Sequence, residues 1–391
     1  MRHLIAVLAV LAVAPPVLAY PAAAQTASRA MSAANPGEDP MDAALAAYRG
    51  KRFDVARATA APLAENGNVT AQLMLGSIYN NGEGVTADPD EAAKWFGRAA
   101  AQGAASAQYA LGMLMEYGQV KKASPEMAHK YFAAAAEQSH AAAQTELGMM
   151  YTTGRGGEKD IGAAARWFER AAASGNANAR YYLGTLYAAG KGKPRNLAEA
   201  ARLFALAAGQ GQPQADYQLG LMLQDGAGVE KNLTEAARHF KAAAESGIAG
   251  AQTSLGFAYL GGDGVDRNDT LAAKWFAEGA MRGDALAQDR LARLYFLGQG
   301  VTRDISAALL WLTLAERGGA VDETLRNAMN PEITPEIRAR VEADLAKWDA
   351  ANGKAMPARD PARDPSPDPA LGPASGPAPG PRPAPVRPLA N

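Results

Sequence analysis

Apolar positions along the chain follow a helical rhythm nested inside a longer one. Leu75, Leu111, Leu147, Leu183, Leu219, Leu255 and Leu291 stand 36 residues apart without interruption. The alanine column from Ala71 to Ala287 and the glycine column from Gly82 to Gly298 keep the same register. Within one unit Ala71, Leu75, Ile78 and Tyr79 fall at i, i+4, i+7 and i+8, one face of a helix over about Ala71 to Asn81. The Gly82 column ends this helix A, because glycine enters the left-handed conformation of a helix C-terminus without steric cost. A second helix follows in each unit, with Ala92, Phe96 and Ala99 on its apolar face and the aromatic recurring at Phe132, Phe168, Phe204, Phe240 and Phe276.

The start of helix B is marked by Asp88, Ser124, Asp160, Asn196, Asn232, Asn268 and Asp304, side chains that accept from the free amides of a first turn. Glu91, Glu199 and Glu235, three residues after their caps, predict reciprocal capping boxes. Its end is marked by a glycine from Gly103 to Gly319, with Ser139 the exception. Six glycines, from Gly76 to Gly256, lie in mid-helix A, where each costs ~1 kcal/mol against alanine. Close approach of helix B is the expected compensation.

The segments LGSIYNNGEGV and LGFAYLGGDGV, followed by AA-x-WF-x-x-AA in the first and by the same pattern with Gly279 in its final pair in the second, resemble the Sel-one-like repeat family, a relative of the tetratricopeptide repeats. The resemblance spans about Pro40 to Gly319. It implies an all-α fold, a right-handed α/α superhelical solenoid of helix-turn-helix repeats. Repeat two departs from the motif at Val120 and Lys121. Repeat seven puts Ala292 in the helix A glycine column, which predicts a more loosely packed terminal unit.

Outside the repeats, Asp42 to Gly67 matches only the helix B register and reads as a tetratricopeptide-like opening cap. After them, Ile337, Val341, Leu345 and Trp348 form one stripe of a closing helix that starts at Thr334 and Pro335. The expected organisation is 1–24 signal peptide, 25–39 flexible segment, 40–67 cap, 68–319 seven repeats, 320–352 capping helices and 353–391 Pro-rich disordered tail. The leader rests on Arg2, an apolar run from Leu4 to Val13 too short to span a membrane, and small residues down to Ala24. Cleavage is expected after Ala24, with Ala19 the other small-x-small site. The destination is the periplasm or, alternatively, the extracellular space, with no membrane insertion after cleavage. Twelve of the 24 prolines lie between Pro357 and Pro388, a composition that cannot bury a core.

Composition narrows the chemistry. With Lys+Arg 39 against Asp+Glu 40, no long-range field gathers nucleic acid. There is no cysteine to form a disulfide or carry a lipid. Beyond the leader the only histidines are His129, His140 and His239, and no HExxH or GxSxG motif is present. No catalytic residue, metal ligand or cofactor is predicted. The basic series Lys94, Lys130, Arg166, Arg202, Arg238 and Lys274 reads as a solvated helix face, since Glu91, Glu199 and Glu235 stand three residues before members of it.

In the resembled solenoids helix A lines the concave side, in the columns of Leu73, Ser77 and Asn80 here. Unlike the packing columns these vary between units. They nominate Tyr109, Met113, Glu116, Met149, Tyr181, Thr185, Tyr217, Leu221, Gln224 and Phe257 as a partner-binding face, a mixed surface of the kind interfaces favour. The competing reading is that these rings pack between neighbouring helices. The function expected is that of a non-enzymatic periplasmic adaptor for a protein or extended peptide. The family resemblance offers an envelope sensor kinase or a polysaccharide-assembly component as partner. A peptidoglycan- or beta-lactam-related enzyme and a polysaccharide-binding module are the alternatives; the disulfide cysteines and Ser-x-x-Lys motif that the enzymatic reading needs are missing.

Overall fold

A computed structural model describes residues 39–352 of the chain. The leader, its cleavage sites and the Pro-rich tail lie outside the described residues. The chain divides into two compact units, the first ending at Asn176 and the second beginning at Ala177.

The first unit contains α1 (Pro40–Arg49), α2 (Phe53–Glu65), α3 (Val69–Asn81), α4 (Pro89–Ala101), α5 (Ala105–Glu116), α6 (Pro125–Glu137), α7 (Ala141–Thr153) and α8 (Ile161–Ala173). The second contains α9 (Ala177–Ala189), α10 (Leu197–Ala208), α11 (Pro213–Asp225), α12 (Leu233–Glu245), α13 (Ala249–Gly261), α14 (Asp269–Met281), α15 (Ala285–Leu297), α16 (Ile305–Arg317), α17 (Glu323–Met329) and α18 (Pro335–Asn352). Among the described residues there is no strand. Within each unit successive helices pack on one another, and α18 returns onto α16, where Trp348 meets Trp311 edge to face at 5.5 Å. The result is a helical repeat solenoid, as the spacing predicts.

The helix A glycines have a direct cause. A Cβ at Gly112 would stand 2.5 Å from the Phe132 ring, and one at Gly220 2.6 Å from Phe240. Every phenylalanine of the column is at most 5 % exposed. Each such ring contributes roughly 1.5–3 kcal/mol, which outweighs the ~1 kcal/mol helix penalty of its glycine. Repeat seven corrects the expectation of loose packing. There Leu312 replaces the phenylalanine, and Ala292 and Leu312 are both 0 % exposed, so the smaller side chain accommodates the added methyl group.

All seven predicted helix B caps form, from Asp88 accepting the Glu91 amide at 3.0 Å to Asp304 accepting the Ala307 amide at 3.0 Å. The capping boxes do not close. The Asp88 amide already donates to the Tyr79 carbonyl at 2.8 Å, and Asn196 and Asn232 repeat this with Tyr187 and Leu223 at 2.9 Å. The glutamates turn outward instead, to Lys94 at 2.6 Å, Arg202 at 2.7 Å and Arg238 at 2.8 Å, which accounts for much of the basic series as a solvated face.

Two further contacts join several repeats, within each unit, to the element before them. In the turn, Gly264 lies against the first residues of α12, where any side chain would collide with the Leu233 backbone. A buried glutamine column also reaches back: Gln72, Gln144, Gln252 and Gln288 donate to the carbonyls of Ala64, Ala136, Ala244 and Ala280 at 2.9–3.1 Å. These carbonyls lie in the last turn of the preceding helix, where each also accepts the backbone amide three residues on, from Gly67, Ser139, Gly247 or Gly283. Asp216 occupies this column in repeat five; it pairs with His239 Nδ1 at 2.7 Å.

The notch between helices yields a paired test. Gly112→Ala should destabilise the protein by about 1–3 kcal/mol through overpacking, read by urea unfolding followed by circular dichroism. Adding Phe132→Leu should recover part of that loss, following the Ala292–Leu312 pair. A neutral Gly112→Ala would show that the helices do not depend on the notch.

Candidate functional site

The nominated residues fall on helix A of both units. In the first unit, Tyr109 on α5 stacks on His140 at 4.8 Å and tilts against Phe132 at 5.9 Å. The His140 Nδ1 is itself occupied, accepting from the Ala143 amide at 3.2 Å to start α7. Burial, then the charge of Glu146, then Tyr117 raise the Tyr109 hydroxyl above its ordinary pKa, so it remains a neutral donor. Met113 and Met149 are half-buried beside it in sequence register. Glu116 forms an ion pair with Arg155 at 2.6 Å.

In the second unit, Tyr181 is 6 % exposed and packs on Tyr182 and Phe204, so its ring belongs first to the interior. Thr185 donates to the Tyr182 carbonyl at 2.6 Å. Tyr217 leans on Phe240 at 6.1 Å, and Gly250 leaves room for its hydroxyl, which a Cβ there would approach to 2.8 Å. Leu221 and Gln224 are half-buried on the same helix. Phe257 on α13 meets Phe276 edge to face at 5.1 Å. Tyr109 and Tyr217 are therefore shared between interior and surface and Tyr181 is enclosed, while the methionines, Leu221 and Gln224 keep open area.

Charged residues in these columns or one position beyond them were not nominated from sequence. Glu146 follows the Tyr109 column by one position, and burial, reinforced by Glu116 and opposed by Arg155, pushes its carboxyl up to about 7. In repeat seven the face becomes ionic, with Asp289, Arg290 and Arg293 on α15. Arg293 pairs with Asp322, which also caps α17 by accepting the Leu325 amide at 2.9 Å. Asp289 is 6 % exposed, with Oδ1 buried and without a hydrogen-bond partner. A carboxylate in a column otherwise filled by Tyr, Thr and Leu was the available sequence signal.

His239 directs Nδ1 at Asp216 at 2.7 Å and meets Arg238 through Nε2 at 2.9 Å, so neither ring nitrogen is open to a substrate. Among the described residues no three His, Cys, Asp or Glu side chains converge to hold a metal, and no helix is long and apolar enough to cross a membrane.

Asp289 carries a pH signature. Burial raises its pKa, Arg290 and Arg293 pull it down, and Asp322 raises it again, to a net upward shift. A group whose folded pKa exceeds its unfolded one supports the fold at low pH and loses that contribution as pH rises through the folded value. Asp289→Asn should therefore raise the thermal midpoint at neutral pH, with the gain vanishing toward about pH 4, the ordinary carboxylate range. A gain independent of pH would count against this assignment.

Residues 69–103, 105–140, 141–176, 177–212, 213–248, 249–284 and 285–319 each match the Sel1 repeat. Among solved structures, a Sel1 repeat protein from Oxalobacter formigenes is 31 % identical, with a TM-score of 0.58 over 80 % of this chain and 86 % of that one. A protective antigen of uropathogenic Escherichia coli displaying an SLR fold is 23 % identical, with a TM-score of 0.49 over 86 % and 98 % of the two chains. No curated protein matches the chain. With seven matched repeats, the chain belongs to the Sel1 repeat family, whose scaffolds generally mediate protein interactions and not catalysis.

Proposed function

We propose that this protein is a non-enzymatic adaptor that binds an extended peptide or a protein along the helix A face of its repeats, in the periplasm. The observation that carries this reading is the division of labour within helix A. The Ala71 and Leu75 columns are buried and uniform, while the adjoining positions are half-open and chemically mixed: Met113, Met149, Leu221, Gln224 and Phe257. Adaptable thioethers beside aromatic rings and single polar groups suit a peptide whose side chains differ from site to site. The cellular role this reading carries is cell-envelope signalling or exopolysaccharide assembly, with a sensor kinase or an assembly component as the partner.

A photo-crosslinking residue placed in cells at Met149 or Leu221 should yield a discrete adduct. The same residue at the exposed outer positions Lys130 or Lys241 should yield none. Leu221→Asp should suppress capture while leaving the helical circular dichroism signal unchanged. Equal adducts from both faces would overturn the assignment. For the location, mass spectrometry of protein from the envelope fraction should find Gln25 at the N-terminus; a chain retaining Met1 in the cytosolic fraction would remove the periplasm from the reading.

A further inference from the structure

Arg290 differs from Arg98 and Arg303, which also lie over aromatic rings, in its looser carboxylate, and from Arg170 over Trp167, whose carboxylate is at 3.6 Å, in its buried Nε without a hydrogen-bond partner. Its guanidinium carbon is 5.4 Å from the centroid of Phe257, within cation–π range. Arg98 over Trp95 and Arg303 over Phe296 are also claimed by carboxylates, Glu65 at 2.6 Å and Glu332 at 2.5 Å. Arg290 has only Asp289, at 3.7 Å, beyond hydrogen-bonding distance, and its Nε is buried with no partner. Asp322, which lies beside Asp289, is taken by Arg293 and by the α17 cap. What results is a guanidinium held over a ring, its Nε enclosed and 35 % of the side chain exposed.

A guanidinium is matched in shape by a carboxylate, which accepts two parallel N–H bonds from it. We propose that Arg290, steadied by Phe257, receives a carboxylate of the peptide bound on the helix A face of the second unit. This deepens the function proposed above and rests on it. It gives the partner a required chemistry, an acidic side chain or a chain terminus at the site of repeats six and seven.

The test uses the full chain with 15N-labelled arginine side chains and needs no natural partner, so its failure is separable from a failure of the crosslinking. The Arg290 Nε–H signal, identified by its loss in Arg290→Lys, is followed during titration with two probes. Acetyl-Gly-Glu-Gly-amide presents a side-chain carboxylate, and acetyl-Gly-Gly-Gly presents a terminal one. A saturable shift about tenfold tighter than at exposed Arg338, the worth of one good charge-assisted bond, is the expected result with at least one probe; the tighter one identifies the source. Phe257→Leu should weaken the response of Arg290 without abolishing its signal, which keeps the test open should Arg290→Lys fail to fold. An identical weak response at Arg290 and Arg338 with both probes would overturn the proposal.

Discussion

The closeness of helix A to helix B is the constraint on which the rest of this structure depends. A phenylalanine ring fills the space that a Cβ would need, so the two helices are held by a fit with no slack. This fixes which face of helix A turns inward, and therefore which positions remain at the surface. The ring is retained six times and replaced once, at Leu312, where the facing residue changes with it. Reciprocity of that kind marks a packing requirement, because a merely tolerated glycine would not be matched by its neighbour.

Surface chemistry is layered on this scaffold without disturbing it. The first unit carries a desolvated glutamate at Glu146, and four repeats later the same register position carries Arg290. Neither residue contributes to the Leu and Phe columns, so sign and shape at this position are free to change with the partner. A scaffold of invariant packing and variable facing residues separates stability from recognition, which single-core domains seldom achieve.

Most of the fold was legible in the sequence because its signals repeat. One cap or one glycine is weak evidence, but seven in register leave little choice, and all seven helix B caps formed. Non-local features were harder to read. The capping boxes at Glu91, Glu199 and Glu235 look complete in sequence, yet the cap amide is used by a carbonyl of helix A, which only the folded turn reveals. The buried glutamine column passed unnoticed because glutamine on an amphipathic helix ordinarily faces water. At the candidate face, the columns were identifiable but burial within them was not: Tyr181 is enclosed whereas Leu221 is partly open, a difference set by neighbouring helices. Asp289, Arg290 and Arg293 were missed because the search followed the column pattern and stopped where that pattern changed character.

The backward reach of the glutamine side chains also gives the architecture a direction. Gln144 and Gln252 both address a carbonyl already laid down earlier in the chain, and the turn glycine at Gly264 rests on the helix that precedes it. A module that carries such a glutamine thus meets a template formed from the chain before it, and its polar anchor never waits for residues that follow. Assembly in the order of synthesis follows from that polarity.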